Sequence, residues 1–413
     1  FCGDGLVFAD RTLSPKMEEA RFLYAPLVIT CSEKGVRVRS RRLFLSTKDI
    51  RFTLTLAADG RPIREEVFRL EVPAEETGWY PLPFALPESP EELTLTCTAA
   101  LDTQTRYAEA GHEVAFGQAV LKKAAPREAP ERPAVLLPGN ANIGVDMGAA
   151  HALISKATGE LYSYRRDGVE YLESPLRPDF WRAPTDNDRG CGQDLRWAHW
   201  KTASLYRTLL RLETDVPGGT VTARYAAPGT PAITYSVTYR CFAGGRVEVT
   251  LALEAVAGTA PCAGFTLGMP AGYDRLSWYG NTQRESYCDR QNGCRLGLGT
   301  ALVKDRLTPY LHTQECGNLT ELRLLRVGDG QGRGLRFTAP APFEGTVLPY
   351  TSHELEQAEC RRRLPPATRT VVGLYAGKSG VGGDDSWGAR VHEKHLLHTD
   401  QGLRFSVVMD MAE

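Results

Sequence analysis

Apolar and polar residues alternate with a period of two along most of this chain. Leu27-Val-Ile-Thr-Cys31, Val36-Arg-Val-Arg-Ser40, Arg51-Phe-Thr-Leu-Thr-Leu56 and Leu93-Thr-Leu-Thr-Cys97 each put every second side chain on one face. That is the pattern of half-buried strands. Turn residues such as Ala58-Asp-Gly60 separate them, and little helical periodicity interrupts the run from about 20 to 122. The pattern predicts a β-sandwich of immunoglobulin-like type at its usual size, about 100 residues.

Lys122-Lys-Ala-Ala-Pro-Arg-Glu-Ala-Pro-Glu-Arg-Pro133 breaks the alternation with three prolines, six charges and no aromatic residue, and reads as an exposed linker. The alternation then returns on a larger scale from about 139. Ala152-Leu-Ile, Val247–Glu254, Leu322–Leu325, Gly334–Phe337 and Arg404–Val408 read as strands, and one helix is expected near 192–201. So much strand with so little helix needs large packed antiparallel sheets to bury its faces. At the other end, Phe1-Cys-Gly-Asp-Gly-Leu-Val-Phe-Ala-Asp10 starts with Phe rather than Met; Leu6, Val7 and Phe8 read as a short buried strand, and the stretch reads as a piece of a longer protein.

Composition narrows the function classes. The 413 residues are 42% hydrophobic and 24% charged, with a formal net charge of −1, which gives no reason to expect nucleic acid as a partner. The arginines of Arg37-Val-Arg-Ser-Arg-Arg42 and Arg361-Arg-Arg363 read as solvated faces in strand-like surroundings. No window approaches the apolar length of a membrane span. The ten cysteines are scattered, form no CxxC pair and do not cluster with His. They read as reduced thiols of a cytoplasmic protein rather than a zinc site or a disulfide framework.

Candidate chemistry sits where polar residues crowd beside aromatics. Ser379-Gly-Val-Gly-Gly-Asp-Asp-Ser-Trp-Gly388 combines four glycines, the pair Asp384 and Asp385, and Trp387. A large ring on a glycine loop either plugs its own core or awaits a flat partner, and a sugar ring offers an apolar C–H face for stacking. Calcium does not suit Asp384 and Asp385, because calcium loops space their oxygens at alternate positions over about a dozen residues. In Arg177-Pro-Asp-Phe-Trp-Arg-Ala-Pro-Thr-Asp-Asn-Asp-Arg-Gly190, Trp181 is expected in the core. Asp186, Asn187 and Asp188 there are expected to hold an irregular turn through backbone amides. A third such site is Trp278–Arg290 with Thr308-Pro-Tyr310 and Gln314–Asn318.

The stretches PDFWRAPTDNDRG, GVGGDDSWGARVHEKH, YTSHELEQA and FCGDGLVFADR together resemble the large bacterial β-galactosidases of glycoside hydrolase family 2, the lactose-operon type. The resemblance implies an all-β C-terminal portion: an immunoglobulin-like β-sandwich followed by a large antiparallel β-supersandwich of galactose-mutarotase type. It divides the chain into residues 1–18, the end of a catalytic TIM barrel, 19–122, the sandwich, 123–138, a linker, and 139–413, the supersandwich. Trp387 matches a tryptophan that stacks under the sugar at the active-site mouth. Phe1 matches a phenylalanine whose carbonyl ligates a sodium ion and whose ring moves as substrate binds. Asp4 stands where the family often has Asn, on the same sodium and close to the sugar, so the site carries an added negative charge here. GNTQRESYCDR at 280–290 departs from the family's GxGPxExYxDR, with Thr282 and Gln283 in place of Gly and Pro, as variation in a structural loop.

The resemblance further implies retaining hydrolysis of terminal β-D-galactosides such as lactose, sodium and magnesium in the full-length enzyme, and a homo-oligomer. Retaining enzymes use two carboxylates about 5–5.5 Å apart. In the family both are glutamates upstream of Phe1, so this chain is expected to need its own N-terminal catalytic portion and to be inactive alone. Two other readings compete: a non-catalytic carbohydrate-binding or assembly module, and a sugar mutarotase. The second needs an acid/base His and Glu together in a concave face. His353 and Glu354, read as neighbours on a strand, point to opposite faces and argue against it.

Overall fold

A computed structural model describes residues 5–124, 132–230, 232–385 and 388–412. These divide into two compact units, one within residues 2–129 together with Asn292–Leu298, the other within Pro130–Gln291 together with Gly299–Glu413.

The smaller unit is a β-sandwich. Leu27–Ser32, Gly35–Ser40 and Thr77–Pro81 form one antiparallel sheet; Arg61–Phe68, Ile50–Ala58, Leu93–Leu101 and Glu113–Lys122 form the other, in that order. The alternation seen in the sequence becomes burial: Leu27, Ile29, Val36, Val38, Phe52, Leu54, Leu56, Leu95 and Cys97 meet between the sheets, while Arg37 and Arg39 face solvent. Asp59 and Gly60 take positive φ of 43° and 76°, the pair of left-handed residues that a two-residue hairpin turn requires. At Gly117 a Cβ would lie 2.2 Å from the Ile29 carbonyl, so only glycine lets these two strands approach.

Three expectations fail around the edges of this pattern. Leu6 and Val7 are 45% and 40% exposed, and Val7 makes an isolated bridge to Leu13 rather than a buried strand. Lys16–Leu23 is a helix, which period-two reasoning did not anticipate. Arg361–Arg363 forms a short 3-10 turn, not a strand.

The larger unit is an antiparallel supersandwich. Its strands Val135–Pro138, Asn142–Asp146, Ala150–Ser155, Leu161–Arg166, Ser174–Asp179, Cys262–Pro270, Arg369–Lys378, Gly334–Leu348, Leu403–Ala412, Val247–Leu253, Ile233–Cys241, Thr220–Ala227 and Thr208–Asp215 pair successively in that spatial order. Strands far apart in sequence become neighbours: Val249 faces Val407 and Phe265 faces Leu374. Val237, Val249, Leu251, Phe265, Phe337 and Val407 lie in the core between them. Asp179 pairs with Gly264 and Lys378 with Cys262, so the loops leaving Asp179 and Lys378 start from the same end of the sheet. The fold class is therefore all-β, an immunoglobulin-like sandwich followed by a supersandwich. The helix expected near 192–201 is three short ones, Asp186–Gly190, Gln193–Arg196 and Ala198–Leu205.

Candidate functional site

Because two strands end side by side, the motif after Asp179 meets the glycine loop after Lys378. Arg182 joins them. Its side chain is 1% exposed and donates from Nη2 to both oxygens of Asp188, at 2.9 and 3.0 Å. It also donates to the carbonyl oxygens of Ser379 and, at 2.8 Å, Gly380. Burial works against the guanidinium charge, but Asp188 and Glu315 outweigh it and hold the pKa above its ordinary value. One cation thus fixes the helix start and the base of the loop together.

The sequence explains the local geometry. Thr185 caps the helix Asp186–Gly190: its hydroxyl accepts from the Asp188 amide at 3.0 Å while Asp188 accepts from the Thr185 amide at 2.9 Å. Asp186-Asn187-Asp188 is therefore a capped helical turn rather than an irregular one, and its three residues differ. Asp188 is buried. Asn187 donates to the Val381 carbonyl at 3.0 Å. The Asp186 side chain is 62% exposed and meets His312 and Gln314, both at 2.9 Å, rather than nearby backbone amides. Trp181 is buried, its indole donating to Glu356 at 2.8 Å.

The departing segment 280–290 supplies the other side of the loop. Asp289 Oδ2 accepts from the amides of Val381 and Gly382, at 2.8 and 2.7 Å. A Cβ at Gly380 would stand 2.6 Å from that oxygen, and one at Gly383 2.5 Å from the Ala389 carbonyl. These glycines serve close approach, not left-handed backbone; Gly388, at φ 109°, is the one that needs glycine's conformational range. Below, Lys378 Nζ donates to Glu315 at 2.6 Å with both side chains buried. Glu285, also buried, accepts from Thr308 at 2.8 Å and the Gly317 amide at 2.9 Å, and pairs with Arg290. Burial alone would raise its pKa, yet Arg290, Tyr310 and these donors hold it below the usual carboxylate value. Glu344 goes the other way: burial, against the Asn318 amide and Lys378, pushes it up to about 7.

At the tip, Asp384 pairs both oxygens with the His392 ring at 2.9 Å, and Asp385 accepts from the Ala389 amide at 3.1 Å. Among the described residues, then, Asp385 caps a backbone amide and Asp384 pairs with a side chain. The loop is held on either side of Trp387, which lies outside the described residues, as do Phe1 and Asp4. Among the described residues no group of three or more His, Cys, Asp or Glu could hold a metal ion, and no helix is long and apolar enough to cross a membrane.

His353 and Glu354 are not on a strand. They occupy the helix Ser352–Gln357, where Glu354 completes a capping box with Thr351 and pairs with Arg369 at 2.7 Å. The ground on which the sequence argued against a shared His–carboxylate face is removed. Sequence reasoning also passed over Arg182, Asp289, Glu315 and Lys378. Their signal was a charge set within an apolar run, as in Phe180-Trp-Arg-Ala183 and Leu374–Lys378, which a core accepts only with a partner.

Two family models match the chain: the β-galactosidase small chain over residues 147–409 and β-galactosidase domain 4 over residues 36–122. Among similar proteins, a β-galactosidase of Halalkalibacterium halodurans is 35% identical over 98% of this chain and 41% of its own length. One of Streptococcus thermophilus is 32% identical over 99% of this chain and 40% of its own length. The chain thus spans about two fifths of the length of these relatives. Among solved structures, a GalM/aldose epimerase homologue from C. elegans aligns with a TM-score of 0.39 at 8% identity, over 67% of this chain and 98% of its own. With its smaller unit matching domain 4 and its larger unit the small chain, this chain belongs to the β-galactosidase family.

Proposed function

We propose that this chain is the substrate-wall portion of a retaining β-galactosidase acting on terminal β-D-galactosides, with Trp387 as the stacking platform under the sugar. The observation that carries the reading is the anchoring of the glycine loop. Arg182, Asn187 and Asp289 hold its base, and Asp384 and Asp385 hold its tip. A ring whose flanks are fixed loses little entropy when a sugar arrives. The two carboxylates of bond cleavage belong to the N-terminal catalytic portion. This chain's work is to bind and orient the galactosyl ring and to keep water from its apolar face. Phe1, through its carbonyl, and Asp4 offer oxygen donors of the kind sodium takes, and no step of this reading depends on that ion.

Stacking on an aromatic ring is worth roughly 0.5–1.5 kcal/mol beyond area burial, and it acts on substrate before and during reaction. In the full-length enzyme Trp387→Ala should therefore raise KM for nitrophenyl β-galactoside about tenfold, with a smaller effect on kcat, and Trp387→Phe should recover part of the loss. Unchanged KM with a large fall in Tm would show that Trp387 plugs its own core. The 413-residue chain alone should hydrolyse no galactoside above background.

A further inference from the structure

A cavity of about 150 Å³ lies within the larger unit. Its floor is four neighbouring strands, and it has room for several waters or a single pyranose ring. Residues spaced by two share that floor: Val371, Gly373 and Tyr375 on one strand, Thr346 and Leu348 on the next. The helix Ser352–Gln357 contributes Ser352 and His353, and the end of Ala198–Leu205 contributes Ser204 and Leu205. Gly373 keeps the floor open. A Cβ there would come within 2.6 Å of both Thr346 Oγ1 and the Tyr375 ring, so glycine lets the Tyr375 phenol cross the floor and donate to Asp179 at 2.8 Å.

The lining mixes polar and apolar groups, and several of the polar ones are unspent. Ser352, His353, Thr266 and Thr346 form no side-chain hydrogen bond among the described residues. Burial pushes His353 below the ordinary histidine range, so its ring is neutral at pH 7 and can both donate and accept. The charges facing the cavity are largely matched: Glu315 by Lys378 at 2.6 Å, Arg177 by Glu160 at 3.5 Å. Asp179 is buried and held by neutral donors, the Tyr375 hydroxyl and the Trp181 amide. An anionic ligand would meet that carboxylate unfavourably. Hydroxyl groups suit it, since each can donate to Asp179 and accept from His353 or Ser352. Leu205, Leu267 and Leu348 offer apolar surface for C–H groups.

We propose that this cavity binds a neutral monosaccharide, with Asp179 and His353 gripping its hydroxyls and the leucines meeting its C–H face. The site uses no residue of the Trp387 loop, so the two are separable. Saturation-transfer NMR of the 413-residue chain with D-galactose and D-glucose tests it, with glucose 6-phosphate as an anionic competitor. At least one neutral sugar should bind. His353→Ala and Ser352→Ala should each weaken it, the first by about tenfold as its hydrogen bonds are lost, with Tm unchanged, and Trp387→Ala should leave it intact. Failure of both neutral sugars to bind would overturn the proposal. So would binding insensitive to His353→Ala and Ser352→Ala, binding abolished by Trp387→Ala alone, or preference for the phosphorylated sugar.

Discussion

Removal of the Asp188 carboxylate tests the anchor most directly. Asp188 is 2% exposed, accepts twice from Arg182 and once from the Thr185 amide, and closes a capping box. Asp188→Ala leaves a guanidinium that is 1% exposed and, among the described residues, hydrogen-bonded only to the Ser379 and Gly380 carbonyls. Breaking a buried pair in this way costs about 3–5 kcal/mol, because the surviving charge stays desolvated. Asp186 sits two residues earlier with its side chain 62% exposed, and an exposed pair is worth about 0–1 kcal/mol. Asp186→Ala should therefore cost little, although from the sequence alone the three residues 186–188 looked alike. Denaturant unfolding followed by tryptophan fluorescence measures both, since Trp181, Trp197, Trp200 and Trp278 lie in the larger unit and Trp79 in the smaller. The double variant Arg182→Met with Asp188→Leu removes both charges and should cost less than Asp188→Ala alone. Equal losses for Asp186→Ala and Asp188→Ala would refute the reasoning, as would a double variant that costs more than Asp188→Ala alone.

Two further outcomes follow from the same region. Asp289→Ala deletes the acceptor of two loop amides, and hydrogen bonds to a charged group are worth about 1.5–3 kcal/mol each; hydrogen exchange at Val381 and Gly382 should accelerate at least about tenfold, and unchanged protection would mean the loop is held elsewhere. Glu344, raised by burial from 4.5 to about 7, keeps a proton in the folded state that the unfolded chain releases. Its stabilisation is full below the unfolded pKa and lost as pH rises to about 7, in total about 3 kcal/mol; in Glu344→Gln that loss should vanish from denaturant titrations at pH 4.5 to 8, and identical pH profiles for variant and parent would exclude it.

Period-two alternation depends only on which side chains prefer water. Strands such as Leu27–Ser32, Gly35–Ser40 and Val247–Leu253, the solvated arginines between them and the all-β class were legible for that reason. The special composition of 177–190 and 379–388 was legible too, since tryptophan among aspartates and glycines is unusual wherever it falls. The sequence carried no record of distance between these stretches. The strand Arg369–Lys378 lies beside Cys262–Pro270, and that strand beside Ser174–Asp179; this pairing brings Arg182 onto the Gly380 carbonyl across 198 positions. It also lets Asp289, in a segment read as mere loop variation, hold the glycine loop. His353 shows the same limit locally: its neighbours suited a strand, but the capping box of Thr351 and Glu354 starts a helix, and His353 and Asp179 line one cavity. Solvation preference is a property of each residue and survives in the sequence. Which buried charge meets which is a property of strand order, and only the assembled sheet decided it.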